Sequence, residues 1–432
     1  MQRIKNISAH ISIAAISLIA LNTHAIDDHT RTNQDKWQFK GSILGYSESD
    51  RVSVLEAIAS AKYQMDTDQS FSGKITFDTL TGASPNGAIA ANQDQVFTSP
   101  SGSRYEVARN DMPNIEGFKD TRVALSGNWQ KRRSRMVDMT LGANFSKEYD
   151  YQSLGISSLF AFDLSNKNST LSVGTALSDD TIDPEGGVPN PLAVMTKSGT
   201  KQPKTDDTEN KTTFDTILGW SQVINPYSLL QLNYSYSYSS GYHTDPYKVI
   251  SVVDSVMGEI VIEDAAANLS RVIYENRPEE RTKHALYGLY KTSVLDKDVF
   301  EISYRYMTDD WGIDSHTIDT RYRFRLGSIS FLRPHFRYYQ QSEADFFQVF
   351  IQDGAEPVNT GSQFISSDYR LGKLTTYTLG LEYGRDTANP WSVALEYYLQ
   401  QPEEPGGKYG DLQNRTLLEK VDAVMLRLVY AF

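Results

Sequence analysis

The stretch Leu230-Gln231-Leu232-Asn233-Tyr234-Ser235-Tyr236-Ser237-Tyr238 alternates without a break. Successive side chains of a strand point to opposite sides. Leu230, Leu232, Tyr234, Tyr236 and Tyr238 therefore share one face, and Gln231, Asn233, Ser235 and Ser237 share the other. One face is apolar and aromatic, the other small and polar. A strand with lipid on one side and a wet lumen on the other needs that division. A strand of a soluble sandwich shares the alternation but has no reason to gather tyrosine at one end. A bilayer interface supplies that reason, because aromatic girdles form there.

The pattern recurs along the chain. Val137, Met139, Leu141, Ala143 and Phe145 oppose Asp138, Thr140, Gly142 and Asn144. Trp391, Val393, Leu395, Tyr397 and Leu399 oppose Ser392, Ala394, Glu396 and Tyr398. Read this way, the sequence predicts strands over 36–47, 52–65, 70–81, 119–131, 134–148, 151–164, 168–179, 211–224, 227–241, 282–295, 298–309, 314–327, 329–341, 368–385, 391–401 and 418–432. The expected fold is all-β: an antiparallel transmembrane barrel of about sixteen strands, an even number as in bacterial single-chain barrels. Connections on one side are all short, from Asp66–Gln69 to Asp386–Pro390. The long ones, Gly82–Phe118, Asp180–Asn210, Tyr242–Arg281, Ser342–Ser367 and Pro402–Thr416, fall on the other side. Short periplasmic turns and long extracellular loops are the outer-membrane arrangement.

Composition agrees. The chain of 432 residues holds 26 Tyr, 18 Phe and 5 Trp, yet only 39% hydrophobic residues and a mean hydropathy of −0.45. Lipid-facing and lumen-facing residues cancel in such an average. No apolar run beyond the N-terminus approaches the roughly 20 residues of a membrane helix. The chain has no Cys, which excludes disulfides and thiolate chemistry and suits an oxidising periplasm. A net charge of −12 without a basic tract excludes an ordinary nucleic-acid binder.

The two ends read as addresses. Arg3 and Lys5, the apolar run Ile7–Leu21 and the small residues of Thr23-His24-Ala25 follow the order of a secretory signal, which predicts cleavage after Ala25. Residues 1–25 are thus a signal peptide, 26–35 a short periplasmic segment and 36–432 the barrel. At the other end Val424, Leu426, Leu428, Tyr430 and Phe432 alternate with Met425, Arg427, Val429 and Ala431. A last amphipathic strand ending on an aromatic resembles the signal read by the barrel-assembly machinery, with Tyr430 and Phe432 as its key residues. The expected location is the outer membrane of a Gram-negative bacterium, with outer-membrane lipid as a partner.

The run Phe77-Asp78-Thr79-Leu80-Thr81-Gly82-Ala83-Ser84-Pro85-Asn86-Gly87-Ala88 resembles a family of uncharacterised bacterial outer-membrane proteins, catalogued as a domain of unknown function. Asp120-Thr121-Arg122, Tyr149-Asp150-Tyr151 and Asn166-Lys167-Asn168 carry the same resemblance. It implies a barrel and an envelope location, and it transfers no catalytic residue. A fold alone does not supply a function.

Two constellations stand out. Arg321, Arg323 and Arg325 share a lumen face, with Arg333, His335 and Arg337 on the next strand. They read either as a basic wall that orients anionic or zwitterionic solutes, or as partners of Glu301, Asp319, Glu382 and Glu396 in a packed polar interior. Asp78, Ser84, Pro85, Asn86 and Gly87 open the first long loop. They read either as a plug or recognition element in the lumen, or as a surface turn. Asp179, Asp180, Asp183 and Glu185 read either as hard oxygens of a flexible loop that holds Ca²⁺ or as a solvated acidic loop; their spacing does not match the helix–loop–helix calcium pattern, so no metal and no cofactor is expected. Nor is there a G-x-S-x-G elbow, an HExxH or a phosphate loop. The sequence thus points first to a porin-like channel for a small polar or anionic solute. The alternative is a plugged structural or binding barrel that docks an envelope partner without conducting. An outer-membrane enzyme comes third.

Overall fold

The computed structural model describes residues 36–49, 51–164, 167–205, 207–355 and 363–432. The expected signal peptide and the segment 26–35 lie outside them. The barrel strands are β1 (Trp37–Glu48), β2 (Val52–Gln64), β3 (Gln69–Pro85), β4 (Asn114–Ser134), β5 (Val137–Lys147), β6 (Tyr151–Leu164), β7 (Ser169–Ile182) and β8 (Glu209–Asn225). They continue as β9 (Ser228–Gly241), β10 (Glu280–Val294), β11 (Asp298–Asp309), β12 (Asp314–Leu326), β13 (Ser330–Gln341), β14 (Leu374–Arg385), β15 (Trp391–Pro402) and β16 (Val421–Ala431). All sixteen join in one closed antiparallel barrel. The seam runs β1 against β16, from Lys40↔Ala431 to Glu48↔Ala423. Closure leaves no unpaired edge, which lipid would not tolerate.

The outer face is what the alternation demands. Ile43, Leu55, Ile75, Leu154, Leu218 and Leu395 are all exposed there. Aromatics gather at both rims. Trp37 stacks on Phe39 at 5.7 Å near one rim, and Tyr338 meets Tyr377 at 5.5 Å near the other. Large exposed apolar side chains right round a closed barrel require a lipid environment.

One rim carries the tight turns and Phe432; the other carries the long connections. This turn end and loop end differ sharply. The strands at the loop end overshoot the predicted boundaries. β3 runs to Pro85, β4 starts at Asn114 and β7 runs to Ile182. Their extra residues continue the ladder: Ser84 pairs with Ile115 and Pro85 with Asn114. Conversely β14 begins at Leu374 and β16 at Val421, later than predicted. The residues before them belong to the loops.

Those loops fold together. Val249–Val253, from the loop between β9 and β10, lies antiparallel to Val272–Tyr274 and parallel to Phe350–Gln352 from the loop between β13 and β14. Gln95–Thr98 from the first long loop pairs with Arg104–Val107 and with Leu269–Ser270. Ile89, Val253, Ile260, Val349, Leu412 and Leu417 pack in one dry cluster drawn from four loops. Leu192, Ile250, Val252, Ile273, Ile351 and Ile365 form another. The result is a folded cap with its own core, seated on the barrel.

Candidate functional site

The cap covers the loop end of the lumen. Inward residues there are buried around the wall, among them Val52, Asp78, Asp180, Thr317, Gln400 and Ala423. Direct bonds tie cap to wall. Gln341 Nε2 donates to the carbonyls of Arg370 at 3.0 Å and Gly372 at 2.8 Å. Tyr247 OH donates to Asp150 Oδ2 at 2.5 Å. Burial and the neighbouring Asp150 carboxylate both push that phenol's pKa up.

Asn86 and Gly87 sit at the root of the cap. Asn86 Nδ2 donates to Tyr105 OH at 2.9 Å, and its Oδ1 accepts from the Ala88 N–H at 2.8 Å. Gly87 has φ +95°, and a Cβ there would lie 2.4 Å from Ser367 Oγ and 2.7 Å from Val249 O. Only glycine fits this left-handed, crowded spot. Asp78 lies deeper, in the wall, where it accepts from Arg122 Nε at 2.7 Å. The five residues singled out from this stretch therefore divide. Asp78, Ser84 and Pro85 belong to barrel strand β3, and Asn86 and Gly87 to the cap.

Beneath these residues the cap encloses a cluster of opposed charges. Arg277 Nη2 lies 2.8 Å from Asp368 and 2.9 Å from Glu275. Arg370 reaches Asp245 at 2.9 Å and also bonds Asp368. Lys248 Nζ donates to the Pro85 carbonyl. Burial opposes the charge on Asp368, but Arg370 and then Arg277 hold its pKa well below the usual carboxylate range. Burial pushes Glu275 upward, against the pull of Arg277. Fully buried charges persist only when paired in this manner.

The lumen wall differs from side to side. On β5 to β9 its inward residues are mostly small: Gly142, Ser157, Gly174, Gly219 and Ser235. On β10 to β16 many are charged. Register places Asp319 beside Arg337, Arg321 beside His335, Arg333 beside Glu382, and Ala394 beside Arg427. The arginine row does not act as one unit. Arg323 and Arg325 reach down to Asp386 in the turn between β14 and β15, with Arg323 at 2.6 Å. Arg333 Nε donates to Glu382 at 3.0 Å. His335 spans two carboxylates, Nε2 to Asp319 at 2.9 Å and Nδ1 to Glu396 at 3.0 Å. Glu301 pairs with Lys291 at 3.2 Å rather than with an arginine. Arg337, nearer the loop end, is exposed to the lumen and makes no ion pair among the described residues.

Arg321, Arg333, His335, Glu382, Glu396 and Arg427 together surround a cavity of about 150 Å³. Arg427 was not singled out from the sequence. Its signal was present: it is the lone charge in the inward row of the last strand. A second, larger cavity of about 1110 Å³ lies at the loop end between the segments near Glu106 and Glu419.

The acidic residues near Gly186 correct one expectation. Asp180 is not solvated: β7 continues through it, and it faces Lys211 Nζ at 3.0 Å across the wall. Asp179 accepts from Thr212 Oγ1 at 3.1 Å. No group of three or more potential metal ligands occurs among the described residues.

The family described as "Protein of unknown function (DUF3570)" matches residues 8–432. The chain belongs to this family. No curated protein matches this family member. Among solved structures it is similar to the ferric enterobactin receptor of Pseudomonas aeruginosa, with a TM-score of 0.42 and 10% identity over 86% of this chain and 55% of that one. It is also similar to the siderophore receptor PirA from Acinetobacter baumannii, with a TM-score of 0.40 and 10% identity over 86% of this chain and 54% of that one. A bacterial polysaccharide outer membrane secretin gives a TM-score of 0.40 and 8% identity over 91% of this chain and 98% of that one. The chain spans just over half the length of the two receptors.

Proposed function

We propose that this protein is a Gram-negative outer-membrane barrel whose outer mouth is closed at rest by its own loops, a plugged binding barrel rather than an open pore. The observation that carries the reading is the cap. Loops from five connections build two dry clusters between them, and the inward wall beneath them is buried. Loops that merely hang over a pore have no reason to build a core. In this reading the turn end faces the periplasm, where Phe432 serves the barrel-assembly machinery. The cap is offered to the outside.

A porin-like channel remains the second reading, favoured by one observation. Arg321 and Arg427 in the lower lumen keep about two-fifths of their side-chain surface open, at 41% and 42%. A wet, charged lower lumen suits the passage of a small polar or anionic solute once the cap shifts. Planar-bilayer recording of the whole protein separates the two. The plugged reading expects no steady current at rest; stable conductance steps from the unmodified protein would overturn it.

A further inference from the structure

We propose that the cavity between β12 and β16 is a binding site for a small monoanionic carboxylate. The inference deepens the plugged-barrel reading and rests on it only for the side from which the ligand arrives, the turn end.

Three guanidiniums, those of Arg321, Arg333 and Arg427, face two glutamates, Glu382 and Glu396, around about 150 Å³. That is room for about five waters at their liquid volume of roughly 30 Å³ each, and so for a solute of acetate to lactate size. The cations are not equally committed. Arg333 is spent on Glu382, with its Nε at 3.0 Å. His335 is fixed between Asp319 and Glu396. Arg321 and Arg427, by contrast, touch carboxylates only at 3.4 Å and 3.9 Å. Both also remain open to the lumen. The lining thus offers two loosely held forks above a rigid, satisfied base.

A planar guanidinium donates in a fork whose spacing matches a carboxylate. That geometry selects an oxyanion over chloride. Charge selects a monoanion, because the three guanidiniums exceed Glu382 and Glu396 by one charge, which a monoanion neutralises and a dianion overshoots. Each lining charge comes from a strand of a closed barrel, so the site is held by the wall and not by a mobile loop.

The test uses the full chain in detergent micelles and ¹³C-acetate as the probe, read by saturation transfer between protein and acetate against a sodium chloride background. Transfer is expected with the unmodified protein. It should weaken roughly ten-fold in affinity, about 1.4 kcal/mol, when Arg321→Gln and Arg427→Gln are combined. Arg323→Gln should leave it unchanged, because Arg323 is tied to Asp386 outside the cavity. If the double glutamine variant fails to fold, Arg321→Lys with Arg427→Lys keeps the charge and removes the fork, and should still weaken binding. Dianionic phosphate should compete poorly. No transfer to the unmodified protein, equal transfer to both folded double variants, or phosphate binding as tightly as acetate would each overturn the proposal. Because no current is measured, a barrel found to conduct would sink the plugged reading and leave this one standing.

Discussion

Arg277 Nη2 lies 2.8 Å from Asp368 Oδ2, and neither side chain exposes more than 1% of its surface. The pair joins the loop between β9 and β10 to the loop between β13 and β14. Removing one partner of a buried pair strands the other charge and costs about 3–5 kcal/mol. Arg277→Ala leaves Glu275 without its guanidinium and Asp368 with Arg370 alone. We expect the cap to loosen while the sixteen-strand wall survives, since none of its ladder bonds uses Arg277. Limited proteolysis should then cut within 242–279, and bilayers should show current that the unmodified protein lacks. An uncut, silent variant would show that the cap does not depend on this pair.

Acid should not open the cap between pH 7 and pH 5. Asp368 is held well below the usual carboxylate range by Arg370 and Arg277. A depressed carboxylate contributes stability above its unfolded pKa of about 3.9, and that contribution fades only as pH falls below it. Glu275 works in the opposite sense: its pKa is raised by burial, so protonation on acidification favours the folded cap. Asp245, Lys248 and Arg370 complete the charges around this pair. Amide hydrogen exchange of Val249–Val253, corrected for intrinsic rates, should show protection at pH 5 at least equal to that at pH 7. Lower protection at pH 5 would mean that protonation loosens the cap instead of tightening it.

Gly87→Ala tests the root of the cap without touching a charge. The residue sits at φ +95°, and a Cβ would meet both Ser367 Oγ and Val249 O. The left-handed backbone alone costs a side chain about 1–3 kcal/mol, and the Val249 carbonyl cannot swing aside as a side chain could. We expect faster exchange at Val249 and Ile250 with unchanged outer-wall ladders. Unaltered exchange in both regions would mean that the cap root is more plastic than its contacts indicate.

Asp386 holds two guanidiniums at the turn end. The Arg323–Asp386 pair is partly exposed, so its loss should cost less than about 1 kcal/mol. Asp386→Asn should therefore leave thermal stability nearly unchanged. It would release positive charge at the lower mouth. In the cap-loosened Arg277→Ala background, reversal potentials under a salt gradient should shift toward anion preference. An unshifted potential would place the ion path away from β12.

The barrel was legible because period-two alternation is a local property. Leu230–Tyr238 declares its two faces with no knowledge of its neighbours. The cap was harder to see, because its partners are far apart in sequence: Ile89 packs with Val253, Val349 and Leu412. A signal existed nonetheless. Val249-Ile250-Ser251-Val252-Val253 is an apolar run broken only by Ser251 inside a long loop, the mark of a strand buried on both faces. Val272-Ile273-Tyr274 repeats it. The cavity beside Arg321 was half legible. Period two put Arg321, Arg333, Glu382 and Glu396 on inward faces, but pair choice depends on register and reach. That is why Asp386, a turn residue, captured Arg323 and Arg325.

Phe432 is the last residue tied to the seam. Its N–H donates to the Phe39 carbonyl at 2.9 Å, and its ring meets Tyr430 edge-on with centroids 4.7 Å apart. The ring is 59% exposed, so packing within the barrel does not account for it. An exposed aromatic at the rim, on the outward row of the closing strand, suits the membrane interface and recognition by an assembly machine. Deleting Phe432 should reduce the heat-modifiable, folded species in outer-membrane fractions while leaving synthesis unchanged. Phe432→Tyr keeps the seam bond and the ring and should assemble nearly as well. Phe432→Ala keeps the bond and loses the ring, so its yield separates the two contributions: assembly equal to the unmodified protein would assign the effect of the deletion to the backbone bond alone.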